Sequence, residues 1–146
     1  MKVLVVCTAN ICRSPYGAAA LRHHLASDAV RIDSAGVHAE NGRPMDPFMA
    51  TLARERGYAD LADHRSRPAL ARVVSESDIV LCMEVAHRDT LLRHYPVMTG
   101  RIRCFAEGPA RDVADPTGRE EQDYRAAADE LDALAADWAG RIRRLR

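Results

Sequence analysis

The sequence has no internal repeat and no excess of either positive or negative charge. The balance of charge narrows the classes of possible binding partner. Its 146 residues carry 21 basic and 21 acidic side chains, so the formal net charge is zero. A nucleic-acid-binding face or a polybasic membrane-binding face is not indicated, because either needs a surplus of lysine and arginine. We therefore expect neither nucleic acid nor membrane as a partner.

Pairs of cysteines or histidines at metal-binding spacing are also missing. No Cys-x2-Cys and no His-x3-His pair occurs in the chain. Short zinc-binding motifs use spacings of this kind, so we predict no metal site. We also predict no other cofactor.

A long apolar segment is absent from the start of the chain. The apolar stretch that follows Lys2 is only a few residues long. A signal peptide or a membrane span needs a considerably longer one. We therefore expect a cytoplasmic protein, in which Cys7, Cys12, Cys82 and Cys104 are thiols rather than disulfides.

Apolar runs that end at turn residues alternate with helical patterns along the chain. A chain of 146 residues that is 47% hydrophobic can bury one core, so residues 1–146 are predicted to form one domain. Alternating strands and helices favour a parallel sheet covered by helices. The predicted fold class is α/β, with three α/β/α layers and a four-stranded parallel sheet.

The predicted strands cover residues 3–6, 30–34, 78–83 and 101–105, with a turn at residues 35–36. The first predicted helix starts directly after Arg13, carries Pro15 in its first turn, where proline is tolerated, and ends near Ser27. Further helices are predicted at 47–56, ended by Gly57, from 66 or 67 to 74, beginning before Pro68, and at 85–94, closed by Pro96. A last helix is predicted at 120–143, where apolar residues recur at mostly helical spacing. Residues 107–118, rich in glycine, proline and aspartate, are predicted to form a functional loop.

A cysteine ends the first apolar strand, and an arginine follows six positions later. The stretch KVLVVCTANICRSP (residues 2–15) holds Cys7, Arg13 and Ser14. A loop of this length can turn its N–H groups toward a tetrahedral oxyanion at a helix start, where the helix dipole is positive. The arginine fork can grip two phosphate oxygens, and positive surroundings favour the nucleophilic thiolate. The pattern indicates phosphate chemistry at Cys7.

Five segments together resemble the low-molecular-weight protein tyrosine phosphatases. They are VCTANICRSP (6–15), DSAG (33–36), DHRSR (63–67), IVLCME (79–84) and ADP (114–116), in order along nearly the whole chain. The segment MEVAHRDTLLRHYPVMTGRI (83–102) is most similar to the bacterial branch that works opposite tyrosine kinases of capsule and exopolysaccharide export. The resemblance implies hydrolysis of phosphotyrosine through a cysteinyl-phosphate.

The resemblance also implies roles for individual residues. Cys7 would attack phosphorus, Arg13 would bind the phosphate, and Asp115 would protonate the departing oxygen, with Asp112 as a second candidate for the acid. The remaining site residues would bind the phosphate or support the loop. They are Thr8, Ala9, Asn10, Ile11, Cys12, Ser14, Ser34 and His64.

Several of these residues have a simpler local interpretation as well. Ser14 suits the N-cap of a helix, and the resemblance implies that its hydroxyl also hydrogen-bonds to the cysteine sulfur. Asn10 tolerates left-handed backbone angles, and the resemblance implies that Ser34 and His64 hold its side chain. Cys12 either packs passively or forms a transient disulfide with the nucleophile that prevents over-oxidation.

Three positions depart from the pattern of the family. Ala9 stands where the family usually has glycine, which restricts the loop if that position needs a positive φ. Thr117 stands where many members have tyrosine, and residues 38–41 include no aromatic side chain. An aryl ring stacks on such walls, so the last two departures bear on the preference for phosphotyrosine and not on the phosphatase chemistry.

Alternative functions remain open on the same site. A protein-arginine phosphatase branch carries threonine at the position of Ile11, whereas isoleucine suits an aryl ring, so phosphotyrosine is favoured over phosphoarginine and small phosphate esters. An arsenate reductase would need a late cysteine pair, and Asp89 stands where Cys82 would need its partner. The intact Cys7 and Arg13 argue against an inactive phosphopeptide-binding module. The expected partner is a phosphorylated protein, with a bacterial tyrosine kinase as a candidate, and the expected state is a monomer or weak homodimer.

Overall fold

A four-stranded parallel sheet forms the centre of the protein, as predicted. The computed structural model describes residues 1–59, 61–108 and 111–145. The strands are β1 (Lys2–Cys7), β2 (Arg31–Gly36), β3 (Ile79–Cys82) and β4 (Ile102–Cys104), in the order β2-β1-β3-β4. The helices are α1 (Arg13–Leu25), α2 (Pro47–Glu55), α3 (Ala71–Ser75), α4 (Val85–His94) and α5 (Glu121–Arg144), with one 3-10 turn at Pro96–Met98. None of the described helices is both long and apolar enough to cross a membrane.

Helices cover both faces of the sheet, because side chains of β1 alternate between two apolar clusters. Val3 and Val5 belong to the cluster that includes α1 and α5, whereas Leu4 and Val6 belong to the cluster that includes α3 and α4. None of these four side chains is more than 1% exposed, which is typical of a strand buried on both faces. The prediction of three α/β/α layers is confirmed.

The predicted turn at residues 35–36 is wrong. Ala35 and Gly36 extend β2 instead, because they pair with Val6 and Cys7 of β1. Gly36 packs so closely that a Cβ atom there would lie 2.5 Å from the backbone oxygen of Thr8. The end of β2 therefore supports the loop that follows Cys7.

The third helix begins later than predicted. The Gly36 N–H donates to the Arg67 carbonyl across 3.0 Å, and the Ala69 N–H donates back to the Gly36 carbonyl across 2.9 Å. The residue before a proline is disfavoured in the helical conformation, so Arg67, before Pro68, stays extended beside β2. Helix α3 starts only at Ala71, and the extended segment before it runs beside the loop after β1.

The loop predicted at residues 107–118 connects β4 to α5, and residues 109 and 110 lie outside the described residues. The Val113 N–H donates to the carbonyl of Met83, which directly follows β3, across 2.8 Å. This contact holds the loop at the carboxyl edge of the sheet, where ligand sites form in parallel α/β folds.

Candidate active site

The loop between β1 and α1 borders a small pocket at the carboxyl edge of the sheet. Cys7 ends β1 and Arg13 begins α1, and both line the pocket together with Asp115 and Thr117 of the loop before α5. Cys7 and Arg13 therefore border one cavity, as phosphate transfer to sulfur requires. The other lining residues belong to the loop itself: Ala9, Ile11 and Cys12.

Two polar groups lie against the sulfur of Cys7. The backbone N–H of Asn10 donates to Sγ across 3.3 Å, and the Ser14 hydroxyl oxygen lies 3.0 Å from Sγ. Asn10 has a left-handed φ of 58°, the conformation that asparagine tolerates better than most residues. Both groups can stabilise negative charge on the sulfur.

The side chain of Asn10 locks the loop into one shape. Its Nδ2 group donates to the hydroxyls of Ser14 (2.8 Å) and Ser34 (2.9 Å), and its Oδ1 accepts from the Arg67 N–H (3.1 Å). Asn10 is fully buried, so these bonds replace the water that its amide group would otherwise need. Contacts from α1, β2 and the segment before α3 thus fix the loop.

Two supporting residues act differently from their predicted roles. The His64 Nε2 lies 2.7 Å from the backbone oxygen of Asn10 rather than from its side chain. Burial lowers the pKa of His64 and so favours the neutral ring, whose Nε2 must carry the hydrogen because a carbonyl only accepts. Ser14 is not the N-cap of α1; Cys12 occupies that position without a side-chain bond.

Arg13 is held by several acceptors. Its Nη1 donates to Glu84 Oε2 and to the carbonyl of Val113, both across 2.6 Å. Its Nη2 lies 3.4 Å from the Thr8 hydroxyl and 3.9 Å from Asp115 Oδ2. The side chain of Arg13 is only 2% exposed, so its charge requires such partners.

The sequence interpretation missed Glu84 and His87. Glu84 follows strand β3 by two positions, and β3 lies beside β1 in the sheet. A charged residue directly after a buried strand was therefore the sequence feature that could have indicated its place near the loop. The His87 Nδ1 accepts from the Glu84 N–H across 3.1 Å, and its Nε2 lies 2.8 Å from the Thr8 hydroxyl. Burial lowers the pKa of His87, so its neutral ring donates from Nε2 to Thr8 and fixes the start of the loop.

The two candidate acids differ in position. Asp115 lines the pocket, its side chain is 49% exposed, and its Oδ1 accepts from the Thr117 N–H across 3.1 Å. Asp112 instead accepts from the Val85 N–H in the first turn of α4 across 2.8 Å. The geometry therefore favours Asp115 over Asp112 as the group that meets a substrate.

The structure also bears on Ala9, on Cys12 and on the aromatic residues expected at the pocket wall. Ala9 does not have a positive φ, since among the described non-glycine residues only Asn10 and Ala26 do, so alanine is not strained there. Burial, the largest cause, raises the pKa of Cys12 to about 12. No aromatic side chain is among the described residues that line the pocket.

The two cysteines outside the loop are neighbours in the sheet. Cys82 and Cys104 are buried, free thiols, paired in register on β3 and β4. Within residues 1–59, 61–108 and 111–145, no three His, Cys, Asp or Glu side chains form a group suited to a metal ion.

Comparison with known proteins places this site in a family. The sequence profile described as "Low molecular weight phosphotyrosine protein phosphatase" matches residues 2–146. The chain is 33% identical over 143 residues to the "Probable low molecular weight protein-tyrosine-phosphatase EpsP" of Ralstonia nicotianae, covering 98% of this chain and 97% of that protein. It is 35% identical over 136 residues to the "Protein-arginine-phosphatase" of Geobacillus stearothermophilus, covering 91% and 90%.

A solved structure gives the same result for the fold. Wzb of Vibrio vulnificus, in complex with benzylphosphonate, superimposes with a TM-score of 0.88 at 30% identity, covering 96% of this chain and 97% of that one. A profile match over nearly the whole length, together with relatives of this similarity, agrees with the geometry around Cys7. The chain belongs to the low molecular weight phosphotyrosine protein phosphatase family.

Proposed function

We propose that this cysteine-dependent phosphatase hydrolyses phosphotyrosine in proteins through a phosphate ester on Cys7. One observation carries the proposal: Cys7, whose sulfur lies 3.0 Å from the Ser14 hydroxyl, lines the same pocket as Arg13 and Asp115. A nucleophile, an anion-binding group and an acid in one pocket are the components that phosphoryl transfer needs.

In the first step, the sulfur of Cys7 attacks phosphorus and the bond from phosphorus to the tyrosyl oxygen breaks. Asp115 gives its proton to that oxygen, a contribution typically worth about 10² to 10⁴ in rate. Arg13 and the N–H groups of the loop bind the other phosphate oxygens, on which charge accumulates in the transition state.

In the second step, water attacks phosphorus and Asp115, now a carboxylate, accepts a proton from that water. The bond between phosphorus and sulfur breaks, inorganic phosphate leaves, and the sulfur returns as a thiolate. The Ser14 hydroxyl and the Asn10 N–H lie against that sulfur and stabilise its charge as it departs.

The pocket wall supports an aryl ester as the substrate. Ile11 and Ala9 line the pocket and offer apolar contact. A phosphoarginine guanidinium would find no polar partner on the side chain of Ile11, whereas a phenyl ring needs none. Several similar proteins are named as protein-tyrosine phosphatases, which also supports phosphotyrosine.

Phosphoarginine is the second candidate substrate. It is favoured by the 35% identity to a protein named as a protein-arginine-phosphatase and by the absence of an aromatic side chain among the described lining residues. Without an aromatic wall, the pocket cannot stack on the phenyl ring of phosphotyrosine, so one source of preference for phosphotyrosine over phosphoarginine is missing.

A turnover panel tests the proposal. Purified protein is assayed for phosphate release from matched peptides that carry phosphotyrosine, phosphoarginine or phosphoserine, with Cys7→Ser as the blank and Cys104→Ser as the control for loss of a cysteine outside the pocket. We expect the highest kcat/KM with phosphotyrosine and a shift toward phosphoarginine in Ile11→Thr. Turnover of phosphoarginine alone would establish the second candidate, and no turnover of any of the three peptides would refute both.

The biological setting is part of the same proposal. A single catalytic domain over residues 1–146, as a monomer or weak homodimer, would act in the cytoplasm, where Cys7 stays reduced. The similarity to EpsP and Wzb, both named as phosphatases, supports a phosphorylated protein as the partner, with a bacterial tyrosine kinase as the candidate. Cell fractionation and capture of phosphoproteins by Cys7→Ser test the location and the partner.

A further inference from the structure

The segment that carries Asp115 is fixed at two points. On one side, Val113 donates its N–H to the Met83 carbonyl (2.8 Å) and accepts from Arg13 Nη1 (2.6 Å). On the other side, the Gly118 N–H donates to the hydroxyl of Tyr124 across 3.2 Å. Asp115 lies between these two points with a side chain that is 49% exposed, so its position over the pocket depends on them.

Tyr124 connects this segment to a second element. Tyr124 lies in the first turn of α5, and its hydroxyl accepts from Gly118 while donating to Asp46 Oδ2 across 2.8 Å. Tyr124 is 8% exposed, and its ring packs on Phe48 with 5.0 Å between ring centroids. Burial raises the pKa of Tyr124, so the hydroxyl keeps its proton and its direction of donation.

Asp46 continues the connection to the phosphate-binding loop. Its N–H donates to the carbonyl of Ile11 across 2.7 Å. Its Oδ1 accepts from the N–H groups of Phe48 (3.0 Å) and Met49 (3.1 Å), which fixes it as the N-cap of α2. The Tyr124 hydroxyl therefore joins the segment of the acid to the loop that binds the phosphate, through a residue that is itself held in place.

We propose that Tyr124 is a positioning residue whose hydroxyl sets the place of Asp115 relative to the phosphate-binding loop. The inference rests on the proposed function, because it assumes that Asp115 is the acid. A misplacement of about 1 Å in a reacting group is enough to slow a reaction by a large factor. Removal of this hydroxyl weakens proton delivery to the leaving group and leaves phosphate binding by Arg13 and the loop intact.

The test is the dependence of kcat/KM on the leaving group in Tyr124→Phe. This variant keeps the ring against Phe48 and removes both hydrogen bonds of the hydroxyl. For phenyl phosphate, whose leaving oxygen needs the proton, we expect a loss of about tenfold in kcat/KM. For 2,4-dinitrophenyl phosphate, whose leaving group needs little protonation, we expect a loss below twofold, with an unchanged inhibition constant for inorganic phosphate.

A double-mutant cycle separates positioning from general damage. In an Asp115→Asn background, Tyr124→Phe should cause no further loss with phenyl phosphate, because the group that it positions no longer delivers a proton. Tyr58→Phe, which removes a buried hydroxyl that donates to Asp132 across 2.6 Å, is the matched control and should not change the leaving-group dependence.

The outcomes distinguish this inference from the proposed function. Equal losses on both esters, or losses that multiply in the double variant, would overturn the role of Tyr124 while Asp115 remains the acid. If Asp115→Asn itself left phenyl phosphate turnover unchanged, the assignment of the acid would fail and this inference with it. A loss confined to phenyl phosphate and absent in the Asp115→Asn background supports it.

Discussion

Arg13 and Glu84 form an ion pair of 2.6 Å across the carboxyl edge of the sheet. The Arg13 side chain is 2% exposed and the Glu84 side chain 30% exposed, so the carboxylate neutralises a buried guanidinium before any phosphate is bound. Glu84 thereby sets the orientation of the fork, and Arg13 does not need to be reordered when a substrate arrives.

Neutralising Glu84 should therefore weaken catalysis although Glu84 does not line the pocket. In Glu84→Gln we expect kcat/KM for 4-nitrophenyl phosphate to fall on the order of 10-fold, because the guanidinium is less firmly placed. Arg13→Lys should lose more, about 10² to 10³, because a point charge lacks the fork. Glu76→Gln, at the C-cap of α3, is the control; equal kinetics in the two glutamine variants would contradict the role of Glu84.

Removal of the Ser14 hydroxyl should slow the second chemical step more than the first. The hydroxyl lies 3.0 Å from the Cys7 sulfur, which in the proposed mechanism leaves as a thiolate when water attacks phosphorus. In Ser14→Ala we expect kcat to fall while kcat/KM changes little, so that the phosphoenzyme accumulates. Rapid-mixing measurements should show a burst of 4-nitrophenol close to one equivalent; a steady release with no burst would contradict this assignment.

The sequence predicted the fold and the pocket better than it predicted the support of the pocket. The apolar runs were sufficient to predict the sheet, because the burial of a strand shows in its own residues. The spacing of Cys7 and Arg13 was sufficient to predict the loop, because both residues lie in one short segment. Glu84 and His87 were missed because their contacts join β3 and α4 to β1, and a single sequence does not show which residues meet across a sheet edge. The prediction of a helix at residues 66–70 is wrong because this segment is held extended by hydrogen bonds to Gly36. That contact joins residues far apart in the chain, so the local sequence does not reveal it.

A buried histidine, His87, and a half-buried one, His64, should make the protein less stable in mild acid. Burial lowers the pKa of His64 and of His87, so both titrate below the ordinary value of about 6.5. Below that value the unfolded chain binds more protons than the folded one, so the free energy of unfolding decreases as pH falls. Above about pH 7 both states are neutral at these positions, and the effect vanishes.

Urea unfolding at pH 7.5 and pH 5.5 measures this dependence. Wild type should have a lower midpoint at pH 5.5. His64→Gln, which keeps a side-chain N–H donor for the Asn10 carbonyl but does not titrate, should show a smaller difference between the two midpoints. His23→Gln replaces an exposed histidine and serves as the control. An identical difference in wild type and His64→Gln would remove His64 from the explanation.

Cys12 should protect the nucleophile from oxidation only at high pH. Peroxide converts Cys7 to a sulfenic acid, and attack by the Cys12 thiolate on that sulfur would form a disulfide and release hydroxide, which takes a proton from solvent. Burial, with smaller contributions from Asp46 and Asp115, raises the pKa of Cys12 to about 12. Only about one molecule in 10⁵ then carries the thiolate at pH 7, and that fraction rises about tenfold per pH unit.

The fraction of activity that dithiothreitol restores after a peroxide pulse reports this competition. In wild type we expect that fraction to be small at pH 7 and to rise toward pH 9, while Cys12→Ala shows no rise. Cys82→Ala, which removes a buried thiol of β3, is the matched control and should behave as wild type. If wild type recovers fully at pH 7 and Cys12→Ala does not, the Cys12 thiol is far more reactive than its burial allows, and the loop must open before the disulfide forms.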